Sequence, residues 1–269
     1  MEPSQYCIRE PRPGIPLIRS HFWVPLLVFT VAFGFLELTA LDPAIAHAWY
    51  FDEVANRWIG AGRGAWWARD LLHTGGRWLI RGIAAAAIVS WALSFVSTRA
   101  RPWRRPAGFV VLAIVVSTAV AGGLKAITNV DCPWDLAGFG GHNPYVPLFA
   151  DRPDRLTHAR CFPGAHASSG FALLCFYFVL RDSKPGLARA ALGVAIAVGL
   201  AFSIGQEARG AHFLSHDLAS AALVWFIQLA LYAWWLRPPC ETRPRATVAA
   251  PRVGERAPWR STAHPPEAT

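Results

Sequence analysis

Gly108-Phe-Val-Val-Leu-Ala-Ile-Val-Val-Ser-Thr-Ala-Val-Ala-Gly-Gly-Leu-Lys-Ala-Ile127 decides the class of this chain. It carries a single charge, Lys125, close to its end. About 20 apolar residues in a row are enough to cross a bilayer as a helix, and a run this free of charge has no place on a soluble surface. Working outward, five more runs have the same character: Phe22–Leu41, Trp78–Val96, His166–Leu180, Leu187–Ile204 and His212–Trp235. The composition agrees, with 54% hydrophobic residues, 13 Trp and 16% charged residues, against roughly 25% charged in an average soluble domain. The expected fold is therefore all-α, a bundle of six transmembrane helices. The first apolar run is too long for a signal peptide and no small-residue cleavage site follows it.

Three parts are expected: a cytoplasmic N-terminal segment over 1–21, a six-helix membrane domain over 22–236, and a disordered basic cytoplasmic tail over 237–269, rich in Pro, Arg, Ala and Thr. The net charge of +9 sits mostly on Arg clusters between the apolar runs, which reads as membrane topology rather than nucleic-acid binding. Arg9, Arg12 and Arg19 precede the first run. Arg99, Arg101, Arg104 and Arg105 lie between the second and third, and Arg181, Lys184 and Arg189 between the fourth and fifth. Arg237, Arg243 and Arg245 follow the sixth. The alternate connections, Asp42–Asp70, Asp131–Arg160 and Glu207–Arg209, are mixed or acidic. Positive charge favours the inner side, so both termini are expected in the cytoplasm and the alternate loops outside an inner (cell) membrane. The first outer loop holds Trp49, Trp58, Trp66 and Trp67, which suit either a helix lying in the interface or an aromatic cap packed over the bundle.

Three segments on the outer side carry the chemistry. The first runs from Lys125 to Pro133. The second is Cys161-Phe-Pro-Gly-Ala-His-Ala-Ser-Ser-Gly170, and the third Gln206-Glu-Ala-Arg-Gly-Ala-His-Phe-Leu-Ser-His-Asp217. The second and third each lead into an apolar helix, whose free N–H groups attract anions. Gly164, Ala165, Ser168 and Ser169 offer amide and hydroxyl donors there. Lys125 and Arg209 add positive charge, and His166, His212, His216 and Asp217 add acid–base capacity. His212 and His216, four apart, are expected on one helix face, with Arg209 joining them if the helix starts early. That spacing also suits a metal, but no third ligand is apparent and two cations oppose it. The pattern reads as a metal-free phosphate site with no cofactor.

In this order and on this frame, the segments resemble the type 2 phosphatidic acid phosphatase family, which includes bacterial lipid phosphatases and vanadium haloperoxidases. That family carries Lys-x6-Arg-Pro, Pro-Ser-Gly-His and Ser-Arg-x5-His-x3-Asp. The resemblance covers roughly residues 20–236, and the motifs are specific only as a set. Here Cys132-Pro133 stands in place of Arg-Pro, and Pro163-Gly164-Ala165-His166 in place of Pro-Ser-Gly-His. With Gly210-Ala211-His212 in register, Gln206 takes the arginine position, His216 that of the aspartate, and Asp217 falls one residue late.

The resemblance implies that His212 attacks phosphorus to form a phosphohistidine, that Asp217 or His216 orients it, and that His166 protonates the leaving alkoxide and then activates water. Lys125, Arg209, Ser168 and the amides around Gly164 and Ala165 would bind the phosphoryl oxygens. Arg152, Arg155 or Arg160 would replace the missing arginine. A Cys132–Cys161 disulfide is expected to tie the first two segments in an oxidising compartment. The implied function is a lipid phosphatase acting at the periplasmic face on a phosphomonoester or pyrophosphate. Its partners would be the lipid substrate and the bilayer, with no nucleic acid and no required protein. The alternatives are a lipid phosphotransferase with the same site, a transporter (which Glu37 inside a span would suit), and a non-catalytic relative.

Overall fold

A computed structural model of the chain describes residues 19–236, except Ala40 and Arg63. Most of the N-terminal segment and the tail expected over 237–269 lie outside the described residues. The structure is mostly helical, at 72%. Its elements are α1 (Val24–Leu38), α2 (Leu41–Trp49), strands β1 (Phe51–Asp52) and β2 (Arg57–Trp58), α3 (Gly76–Val96), α4 (Arg104–Ile127), α5 (Ala165–Phe171), α6 (Cys175–Leu180), α7 (Pro185–Glu207) and α8 (Leu214–Leu231). Wider π-type turns extend α1, α3 and α8 into the apolar stretches Arg19–Leu38, Trp67–Val96 and Leu214–Leu236.

Among the described residues, five helices are long and apolar enough to cross a membrane: Arg19–Leu38, Trp67–Val96, Arg101–Ile127, Pro185–Glu207 and Leu214–Leu236. The fourth expected run, Ala165–Leu180, is a shorter apolar helix broken by a 3₁₀ turn at Ala172–Leu174. The break has a visible partner. Gln228 of α8 is fully buried and its Nε2 donates to Ala172 O at 2.8 Å, satisfying a carbonyl that the interrupted ladder leaves available. The first expected run also ends early. Thr39 is extended, and Leu41 already begins α2.

The core lies where α4, α5–α6, α7 and α8 meet, around Phe109, Ala113, Ala167, Cys175, Ala195 and Val224. Small residues let α5 and α7 approach closely: a Cβ on Gly199 would collide with the Phe171 ring. α1 packs on α8 at the edge and buries only Leu36.

The first outer connection is not helical throughout. It holds α2, the antiparallel β1–β2 pair (Phe51 opposite Trp58, Asp52 opposite Arg57) and the early start of the third helical stretch at Trp67. This pair is the only β-sheet among the described residues. Trp58 is buried with Phe51, Leu136, Phe139 and Phe213, whereas Trp49 and Trp66 are 72% and 59% exposed. The loop is thus partly an aromatic cap, because an indole ring stacked at 5.0 Å on Phe139 is sheltered from water.

Candidate active site

The three chemistry-bearing segments converge beneath this cap. Lys125 lies in the last turn of α4, where a cation meets the negative end of the helix. The chain then runs through Val130, whose carbonyl accepts from Cys161 N at 3.1 Å, and Cys132 is disulfide-bonded to Cys161 with Cα atoms 5.1 Å apart. The first segment is therefore stapled to the second. The third segment joins both: Gly164 N donates to His216 O at 3.4 Å, and Trp134 N donates to Gly210 O at 3.0 Å. Gly210 adopts φ +74°, and a Cβ there would run into the Trp58 indole, so this turn requires glycine on two counts.

His212 is buried, but it lies in the turn before α8 rather than on the helix, which begins at Leu214. The expected shared helix face for His212 and His216 is therefore not how they meet. Gly210 turns the chain so that their rings stand 5.8 Å apart at 65°. Arg209 is likewise in the turn, and its Nη1 donates to Gln206 Oε1 at 2.7 Å. α8 has no capping side chain of its own; Asp42 of α2 accepts from Ser215 N at 3.1 Å instead. Burial pushes the Asp42 carboxyl up, against the pull of its Ser215 bonds.

Burial above all, then the charges of Lys125, His216 and His166, push His212 well below the ordinary imidazole range, while the Cys161 backbone pulls the other way. His212 is thus a neutral imidazole set among cations and bases, poised to donate an electron pair. His166 is buried in the first turn of α5, stacked on Phe202 with centroids 4.4 Å apart. Its Nε2 lies 3.1 Å from Leu72 O. A carbonyl can only accept, so Nε2 carries the proton and Nδ1 is left as the base. His73, unmarked by any sequence motif, stands 4.6 Å from His166. Only the early start of the third helical stretch brings it there.

Other expected residues have different duties. Gly164 N is engaged with His216 O, and Ser168 Oγ donates to Gly164 O at 2.9 Å, so these two donors brace the backbone. Ser169 Oγ likewise donates to His166 O. Asp217 is buried but lies against Gly164 and Ser220, with Lys125, Glu207 and Tyr50 as its charged and polar neighbours; His216 is the group beside His212. Tyr50, pushed up to about 12 by burial and then by Glu207, stays protonated and hydrogen-bonds that carboxylate. Arg152 does not replace the missing arginine, because it forms a two-pronged ion pair with Asp131, with Asn143 as a further donor to the same carboxylate. Arg155 and Arg160 are exposed. No group of three or more His, Cys, Asp or Glu is arranged to hold a metal ion among the described residues.

A cleft lined by Gly60, Ala61, Gly62, Arg69, Trp134 and Arg209 opens beside this cluster. Burial and then Arg69 pull the Arg209 guanidinium down from its ordinary range, two cations facing one opening. Arg209 also acts electrostatically on His73 and His166, so the cleft and the histidines share it.

No curated protein and no solved structure matches the chain. Residues 106–239 match the PAP2 superfamily, a stretch that runs from α4 through all three chemistry-bearing segments. The multi-pass apolar helices and this match together describe a phosphatase-type membrane protein. The chain therefore belongs to the PAP2 superfamily, through the domain over residues 106–239.

Proposed function

We propose that the protein is an integral membrane lipid phosphatase that cleaves a lipid phosphomonoester or pyrophosphate through a phosphohistidine. The observation that carries this reading is a neutral, buried His212 beside Lys125 and His166, within a PAP2 domain. His212 attacks phosphorus. The N–P bond forms as the P–O bond to the lipid breaks, and His166, which takes up a proton at Nδ1 when the anionic substrate binds beside it, gives that proton to the leaving alkoxide. His166 then takes a proton from water, which attacks phosphorus and frees phosphate and His212. Lys125, Arg209 and the amides of Ala165 and His166 hold the equatorial oxygens, because phosphoryl transfer is driven by positioning and positive charge.

In this reading α5 and α6 together make the sixth span, and both termini face the cytoplasm. The site opens at the periplasmic side of the inner membrane, where a disulfide persists. The exposed Trp49 and Trp66 rings sit at headgroup level, on α2 and beside the third helical stretch.

The test is phosphate release from a panel of lipid phosphates by detergent-purified protein in EDTA. Wild type is expected to be active. His212→Ala is expected to lose at least about 10³-fold in kcat, and His166→Ala about 10²- to 10⁴-fold. No release from any lipid, or full activity in the His212 variant, refutes the assignment.

A further inference from the structure

Glu37 sits in α1 and faces inward beside Ser215 and Leu148. A carboxylate within a membrane span is expensive and marks a function more often than not. With Asp131, Tyr145, Phe213 and His216, Glu37 lines a cavity of about 10 Å³ at the junction of α1, α8 and the outer loop. Two of the lining groups have buried polar atoms without a hydrogen-bond partner, Glu37 Oε2 and His216 Nδ1. His216 itself is only 4% exposed. The other nearby carboxylates are engaged, Asp131 by Arg152 and Asn143, and Asp42 by Ser215. A polar cavity of this size takes about one water, and a water in it needs two or more polar partners.

We propose that this cavity binds one ordered water that links Glu37 to His216, making Glu37 a positioning residue for the histidine pair. The inference rests on the phosphohistidine reading and deepens it. His216 stands at the position where the resembling family has an aspartate, and Asp217 is turned toward Gly164, so no carboxylate on α8 is placed beside His212. Glu37 supplies the missing negative charge from another helix. The Cys161 carbonyl beside His216 can only accept, so it holds the proton on Nε2 and leaves Nδ1 to accept from the water, which also donates to Glu37. That holds the His216 ring in one tautomer and orientation beside His212. Orienting an imidazole through a third group is the usual logic of an activated nucleophile.

The experiment is single-turnover labelling of the full-length protein in detergent with a ³²P-labelled lipid phosphate, following phosphohistidine formation in wild type, Glu37→Gln, Glu37→Asp and Val146→Leu. Val146 lines the same cavity, and the larger side chain fills it while leaving Glu37 in place. Glu37→Gln is expected to slow labelling and kcat about 10- to 100-fold with KM within about twofold, Glu37→Asp to recover most of the rate, and Val146→Leu to slow labelling comparably. Labelling of Glu37→Gln at the wild-type rate overturns the link alone. A Glu37→Gln chain that does not fold leaves the decision to Val146→Leu, whose wild-type rate would equally overturn it. If wild type is never labelled, the phosphohistidine reading falls, and this inference with it.

Discussion

In the helix layer the buried side chains are Phe109, Phe178, Val224, Cys175 and the small residues between them; at the outer end they include Asp42, Asp131, His212 and, in the first turn of α8, His216 and Asp217. Both regions are closely packed, but by different means. The helices satisfy their own backbones, so their side chains need only fit, and a polar group such as Gln228 is tolerated where it repairs a broken turn. Much of the cap is irregular backbone. It is held by cross-links between segments: one disulfide, the Gly164–His216 and Trp134–Gly210 bonds, the Asp42 cap on α8 and the Asp131–Arg152 pair. Shape complementarity dominates the first region and specific polar partners the second, and the candidate site residues sit in the second, where position is set bond by bond.

Four measurements sharpen or break this contrast. Arg152→Ala strands Asp131 as a buried carboxylate and is expected to lower unfolding free energy in detergent by about 3–5 kcal/mol. Asp131→Asn in the same background should restore part of that loss; additive losses would mean that the pair is not what holds the loop. Phe109→Ala leaves a cavity at the heart of the bundle. It is expected to cost about 3 kcal/mol, the low end for a buried phenylalanine, because lipid solvates the ring nearly as well as neighbouring helices do. A larger cost than that of Arg152→Ala would reverse the ranking of the two regions.

The third concerns pH. His212 is held neutral in the fold, whereas the unfolded chain titrates it near about 6.5. Below that value the unfolded state takes up a proton that the folded state refuses. Stability should therefore fall as pH drops, by about 1.4 kcal/mol per pH unit, and be flat above it. Denaturant titrations between about pH 6 and 5 should show a shallower slope for His212→Gln; an unchanged slope would place the buried charge cost elsewhere. The smallest effect is Val115→Ala on the half-exposed face of α4, expected within about 0.5 kcal/mol of wild type in a melting curve. A larger loss would show that this face is covered by protein rather than lipid.

Much of the frame was legible without coordinates, because a membrane span announces itself by length and apolarity alone. Five of the expected runs are long helices, although their ends moved: the second begins at Trp67 rather than Trp78, and the first gives its last residues to α2. Hydropathy cannot see such boundaries, since the interfacial residues that start and stop a helix are amphipathic. The three chemistry-bearing segments were legible as motifs, and Lys125, His166, His212 and His216 do come together.

The duties within that cluster were not legible. The i,i+4 spacing of His212 and His216 suggested one helix face, yet a positive-φ turn at Gly210 brings the rings together from outside the helix. Gly164 and Ser168 have the donors a phosphate needs, yet backbone carbonyls take them. Arg152, His73 and Glu37 come from parts of the chain with no motif at all. Local patterns determined where this chain crosses a membrane and which residue types it brings to the outer face. Only the tertiary structure decided which of those groups pairs with which, because a hydrogen bond needs a partner within about 3 Å and sequence spacing does not measure distance between segments.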